Sequence, residues 1–394
     1  MRHNILLAMA ALLLAAPASA QQSITLSAAI RKAGASYPAL RASRLREGSM
    51  RALQRSASPL GDLELSSGGE EIGHGNDAIT TLVEARQNLD LFSVRSRRRR
   101  MAQETQVAAA DTRLQERRIR WQLSLDYAAD VVARMRLEQY RRQEKLYSDF
   151  VAAAKLRYDT EAASLLEYQA AQSRQRQVEL ALIEAENDLN KAHINLSRWL
   201  SSDTLYQASG DIDEALTAAP DTLALHPALS LAEERVHLAE AVSSETRSSA
   251  LPRMFVGMGS QKIGSRTGYW SWQVGLSLPV SFGTNRALRR AASLDTEKAR
   301  ADLQTEQRTL SSGLRSLESD YAKWRSTVDY YRKSALPLAA EQRRTALLSY
   351  QEGATGYLDF IQAAQSAMDT ELSYIDAYAK LLESKFNTEY YKTR

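Results

Sequence analysis

Histidine and cysteine are the first places to look for chemistry. Beyond the first twenty residues the chain has His74, His193, His226 and His237. No two of them stand three or four positions apart, the spacing at which one helix face offers two ligands to a metal. Cysteine is absent. Without thiolates or a clustered set of His and carboxylate ligands, the sequence provides no transition-metal site and requires no cofactor. It has no Gly-rich phosphate loop behind a strand and no Gly-x-Ser-x-Gly elbow. Its many Ser, Asp and Glu residues fall on charged helical stretches, where a solvated surface is their ordinary role. No catalytic residue is expected, and the chain is read as something other than an enzyme.

The sharpest charge feature is the run Arg95, Arg97, Arg98, Arg99 and Arg100. Because it follows a segment that reads as a membrane strand, Arg97 and Arg98 are candidates for contact with lipid headgroups. A solvated helix start is the equal alternative. Overall, 51 basic residues face 47 acidic ones, a net charge of +4, and this near balance argues against nucleic acid as a partner.

These side chains need a scaffold, and its most informative stretch is 269–282. Trp270, Trp272, Val274, Leu276, Leu278 and Val280 alternate with small or polar Ser271, Gln273, Gly275 and Ser277. That is the period of a strand with one apolar and one wet face. Upstream, Met254, Val256 and Met258 alternate in the same way, and the run 263–268 supplies a turn, so 252–282 reads as a β-hairpin. A second hairpin, 62–92, begins with Leu63 and Leu65, turns over 68–76 and returns through Ile79, Val83, Leu89 and Leu91. Strands of about 9–12 residues are long enough to cross a bilayer when tilted, and Trp270 and Trp272 suit an interfacial aromatic girdle. Four strands are too few for a barrel, so closure requires more than one copy of the chain. A soluble sheet packed on helices is the bland alternative.

The remainder is rich in Ala, Leu, Arg, Glu and Gln, the composition of long helices. Residues 1–20 read as a cleavable signal peptide, with Arg2, an apolar core and Ala18-Ser19-Ala20. Helices are expected over 26–57, 94–159 and 165–200, then, after a linker at 201–227, from 228 to about 249, over 287–350 and over 358–391. Each long segment would measure on the order of 100 Å, and Pro337 should mark a join or kink in the second. Shifting the sequence by 192 residues lays Leu166-Glu167-Tyr168 on Leu358-Asp359-Phe360 and Glu179-Leu180 on Glu371-Leu372, which points to internal duplication. Val178, Leu182, Ala185, Leu189, Ala192, Leu196 and Trp199 form a heptad seam, and Leu372, Ile375, Ala379, Leu382 and Phe386 form another.

The order helix, hairpin, long helix, shorter helix, repeated after a linker, resembles the TolC superfamily of outer-membrane efflux proteins. The opening Leu26-Ser-Ala-Ala-Ile followed by Tyr37-Pro38-Ala39-Leu40 resembles the family's first helix, with Tyr37 in place of the usual Asn. Leu278-Pro279-Val280-Ser281-Phe282-Gly283 resembles its strand exit, and Tyr350-Gln-Glu-Gly353-Ala-Thr-Gly-Tyr-Leu-Asp359-Phe-Ile-Gln362 its helix-turn. Compact length and the 63–91 segment look most like the outer-membrane components of cobalt–zinc–cadmium type cation efflux systems.

The resemblance implies a mainly α protein with a transmembrane β-barrel. A homotrimer would give twelve strands, continued by a coiled-coil helical barrel, built from repeats at 21–200 and 228–394. It implies a passive exit duct in the outer membrane, contacting outer-membrane lipid and served by a periplasmic adaptor (membrane fusion) protein and an inner-membrane RND-type pump. Cargo could be heavy-metal cations or small toxic molecules. Glu161, Ala162, Gly353 and Ala354 would form adaptor-contacting tips. Asp359, Glu167 and Tyr350 match residues of the family's pore constriction, while Gln362 replaces a second aspartate and Thr355 the arginine of its lock. A conduit for type I polypeptide secretion and an exported coiled-coil scaffold remain the competing readings.

Overall fold

The computed structural model describes residues 22–71, 79–202, 204–210, 212–216, 223–264, 266–279 and 282–392. The signal peptide expected at 1–20 and the first hairpin's apex therefore lie outside the described residues. Two compact units form, one from Met1–Leu40, Glu116–Leu223 and Ser311–Arg394, the other from Arg41–Gln115 and Ala224–Leu310.

The first unit is helical. Strand β1 (Gln22–Ile24) leads into α1 (Leu26–Ser36), whose N-terminus Thr25 caps by accepting from the Ala28 N–H. The single helix expected over 26–57 is two. Pro38 has no N–H and disfavours a helical residue before it, so Tyr37 is extended (φ −67°, ψ 125°) and α2 (Pro38–Gln54) starts afresh. α3 (Val94–Asp159) and α4 (Leu165–Ser197) follow, and a 3-10 turn at Arg198–Leu200 ends the second. The linker is not structureless, because β4 (Tyr206–Ala208) pairs in parallel with β1. After α5 (Pro227–Ser248), β5 (Arg253–Ile263) and β6 (Arg266–Ser277), all of the second unit, α6 (Phe282–Tyr330) passes through a π-turn (Tyr331–Ala335) into α7 (Leu336–Gln351), and α8 (Tyr357–Lys392) completes the chain. The expected break at Pro337 is this π-turn: the proline ring crowds the carbonyl four residues back, at Lys333, and the wider turn gives it room.

The main core of this unit gathers Ala29, Leu40, Leu123, Tyr127, Leu196, Trp199, Val328, Leu381 and Leu382. Both heptad seams point inward: Val178, Ala185, Ala192 and Leu196 are buried on α4, and Ile375, Leu382 and Phe386 on α8. A polar knot lies beside this core. Buried Asp130 accepts from the Ala208 N–H at 2.9 Å and faces Arg134 and His193 at 3.3 Å each. Burial pushes the Asp130 carboxyl up, against the pull of those partners.

The second unit holds the sheet. β2 (Leu60–Glu71), β3 (Ile79–Leu89), β5 (Arg253–Ile263) and β6 (Arg266–Ser277) form one antiparallel sheet in the order β2-β3-β5-β6. The strand read over 269–282 stops at Ser277. Pro279 has no ladder N–H to donate, and Phe282 already opens α6. The turn of the second hairpin is tighter than expected, since β5 runs to Ile263 and β6 begins at Arg266 after Gly264, whose φ is 57°. α3 and α5 are joined by Arg100–Glu245, Gln103–Glu234 and Ser96–Ser248 contacts.

Candidate functional site: the sheet faces and the helix-turn

Register fixes which side chains share a face of the sheet. Met254 pairs with Leu276, Val256 with Val274, and Met258 with Trp272, while Leu65 opposes Ala85, which opposes Met258. These residues line one side, and it is bare: Leu65 is 75% exposed, Trp270 72% and Trp272 79%. A two-faced strand in water would bury that side. Here four strands leave it open, which suits lipid as the covering medium.

The opposite face is polar. Asn88 donates to Glu64 at 2.9 Å, Arg86 donates to Gln273 at 3.3 Å, and Glu84 lies 3.5 Å from Arg86. The Arg86 guanidinium also stands over the Phe255 ring at 4.9 Å. The tip of the Phe255 ring covers Gly275, where an added Cβ would sit 2.2 Å from the ring and force it to shift. Among the described residues, no helix is long and apolar enough to cross a membrane.

Arg97 does not face lipid freely. It pairs with Asp90 and lies 3.9 Å from Glu245, while Arg100 pairs with Glu245 and Glu104. Arg98 is exposed, and its Nε donates to the Ala57 carbonyl at 3.0 Å.

The helix-turns belong to the other unit. Glu161 and Gly353 are both left-handed (φ 60° and 74°), at positions 192 residues apart. Their hydrogen bonds repeat at that offset: Ala162 N–H to Arg157 O and Ala354 N–H to Ser349 O are both 2.8 Å. Glu161, Ala162, Gly353 and Ala354 are all exposed on these turns. Ser164 caps α4 by accepting from the Glu167 N–H at 3.2 Å, whereas Gly356 gives α8 no side-chain cap.

The expected constriction residues separate. Asp359, in the first turn of α8, and Gln362 are exposed, and Gln362 also lines an open groove of about 580 Å³ with Tyr330, Tyr331 and Asp369. Glu167 is half-buried. Tyr350 lies inside the protomer, fully buried against Phe150 and Phe360. Burial pushes its phenol up, opposed by nearby Arg157. Arg157, which sequence reading passed over, stands 4.7 Å over the Tyr350 ring and donates to the Tyr350 carbonyl at 3.1 Å. Its offset partner is Ser349, so the repeat itself gives no hint of this contact.

The linker is also anchored. Arg332, in the π-turn, donates to both Glu214 oxygens at 2.6 and 2.8 Å, and Tyr321 donates to the Glu214 carbonyl at 3.0 Å. The Arg332 hydrogen bonds lower the Glu214 carboxyl, and burial pushes Tyr378 up to about 12.

Residues 218–387 match the model of the outer membrane efflux protein family. The similarity of this stretch is to a family of outer-membrane proteins. No curated protein matches the sequence. Among solved structures, the outer-membrane channel OprN aligns with a TM-score of 0.81 at 17% identity, over 93% of this chain and 89% of that one. CusC, described in terms of transmembrane channel formation, aligns at 0.80 and 16%, over 94% and 92%. The Campylobacter jejuni CmeC outer membrane channel aligns at 0.79 and 13%, over 93% and 85%. Over nearly its whole length the chain thus shares the fold of these outer-membrane channels.

Proposed function

We propose that three copies of this chain form an outer-membrane exit duct, with β2 of each copy pairing with β6 of the next to close a twelve-stranded barrel. The observation that carries this reading is a four-stranded sheet whose edges, β2 and β6, have no partner strand among the described residues and whose apolar face is open. In lipid an unpaired edge costs several kcal/mol for each orphaned group, and identical copies satisfy both edges with one repeated contact. The number three rests on the family resemblance.

The duct passively carries cargo delivered by an inner-membrane RND-type pump through a periplasmic adaptor. The resemblance to cobalt–zinc–cadmium systems favours heavy-metal cations, with small toxic molecules as the broader class. The repeats at 21–200 and 228–394 supply the hairpins and a helical tunnel, and the turns at Glu161 and Gly353 dock the adaptor.

The absence of native cysteine gives a clean test. Cysteines introduced at Ser66 in β2 are combined with cysteines at Ser271 or Gln273 in β6. At least one pair should link copies into oxidant-dependent trimers that still conduct ions in planar bilayers, while single variants stay unlinked. Dimers alone, or no linkage from any pair, would sink the closure. Deleting 62–92 or 252–282 should abolish membrane insertion while sparing helical content.

A further inference from the structure

All four strands change to helix or loop at one row of the sheet, because Leu60 pairs with Leu89, Leu89 with Met254, and Met254 with Leu276. Just beyond that row stand Arg55 after α2, Arg95, Arg98 and Arg99 at the start of α3, Arg253 at the start of β5 and Arg286 near the start of α6. All six are exposed, and none lies within 4 Å of a carboxylate of the described residues, although the Arg253 charge still helps to lower the Asp90 carboxyl. The contrast with Arg97 and Arg100, held by Asp90, Glu104 and Glu245, is direct. Exposed apolar residues lie in the same segments: Leu53, Leu91, Phe92, Leu251, Leu278 and Leu288.

An ordinary solvated surface mixes charges of both signs and exposes few large apolar groups. Here unpaired arginines alternate with leucines and a phenylalanine at the end of a bare apolar face. That is the composition of a layer where acyl chains give way to phosphates.

We propose that these six arginines form a collar selective for anionic phospholipid in the leaflet at this end of the barrel. Leu91, Phe92 and Leu278 would enter the acyl boundary while the guanidiniums bind headgroup phosphates in forked pairs. This rests on the reading of the sheet as a membrane barrel. It differs from the sequence expectation in its membership, since Arg97 is excluded by its internal partners and four separate segments contribute.

The test reconstitutes the full chain in phosphatidylcholine nanodiscs containing about 20% phosphatidylglycerol and measures the lipid retained on mild extraction by native mass spectrometry. The native protein should hold phosphatidylglycerol on the order of threefold above its bulk share, with the excess lost at high salt. The combined Arg95→Gln, Arg98→Gln, Arg99→Gln variant should lose most of the excess. The corresponding lysine variant should keep much of it, and Arg97→Gln should leave it unchanged. Retained lipid at the bulk ratio in the native chain, or an undiminished excess in the triple glutamine variant, would overturn the collar. Displacement of the excess lipid by an equal concentration of inorganic phosphate would also overturn it, since the surface would then be a free-anion site. Bilayer conductance is recorded in parallel: a conducting protein without lipid selectivity rejects the collar alone, and failure to insert in either lipid rejects the barrel with it.

Discussion

Glu161 and Gly353 hold the same left-handed backbone at equivalent points of the two repeats, φ 60° and 74°. Glycine adopts this conformation freely, whereas a residue with a Cβ is strained there by about 1 kcal/mol or more. Glu161→Gly should therefore raise stability, offset in part by the greater freedom of glycine in the unfolded chain, for a net gain of up to about 1 kcal/mol. Gly353→Glu should cost about 1–2 kcal/mol. Thermal melts of detergent-solubilised protein followed by circular dichroism give both values. Equal and opposite indifference at the two positions would remove backbone strain as the explanation.

This pair also marks where the sequence is legible. Lipid facing one side of a strand forces alternation, so the Trp270–Trp272–Val274–Leu276 face can be read directly, and the heptads of α4 and α8 can be read for the same reason of period. Pro337 announced a join or kink, because proline has a fixed backbone effect, and the π-turn at Tyr331–Ala335 is the form it takes. The β1–β4 ladder could not be read: its two three-residue strands lie far apart in sequence and have no period to detect. Asp130 and His193 meet across two helices, so the i+3 or i+4 spacing used to find paired side chains passes over them. Arg157 escaped for a similar reason, because its targets are main-chain carbonyls that carry no residue-type signal.

The Glu214–Arg332 clamp should make the linker's attachment pH-dependent. The Glu214 carboxyl is lowered below its ordinary 4.5 by the Arg332 hydrogen bonds. Its contribution is then fully present above about 4.5 and is lost as pH falls through the folded value. Glu214→Gln should cost about 1–2 kcal/mol at neutral pH and flatten the acid limb of the stability curve. Hydrogen exchange in the 204–216 segment supplies the local readout. An unchanged acid limb in the variant would mean that other carboxylates dominate there.

Arg157 should govern how firmly the second helix-turn is held. Its guanidinium stacks on Tyr350 and donates to the Tyr350 carbonyl and, at 3.5 Å, to that of Thr355. Arg157→Met keeps the stem and removes the charge, at a cost of about 1–3 kcal/mol. Arg157→Lys should recover only part, since an ammonium lacks the planar fork. Faster proteolysis within 349–357 in the methionine variant, partly reversed by lysine, is the expected pattern. Identical cleavage in all three proteins would reduce the contact to surface decoration.

Asp359 is the residue on which cation preference should turn. It is exposed in the first turn of α8, where the helix dipole favours a carboxylate, and no side chain caps that terminus. If three copies converge at the mouth of the proposed duct, their carboxylates form a ring that repels anions and draws cations, including trivalent blockers. Gln362 lies three residues on, on the same helix face, and is also exposed. Two opposite changes follow. Asp359→Asn should move the cation-to-anion permeability ratio towards one at low salt and relieve trivalent-cation block, while Gln362→Asp should add a second ring and strengthen both. The local dipole gives the first carboxylate a stabilising role of about 0.3–1 kcal/mol whether or not it lines a pore. A fall in melting temperature in Asp359→Asn is therefore no test, and planar-bilayer reversal potentials are. Unchanged selectivity in both variants would place these side chains away from the ion path.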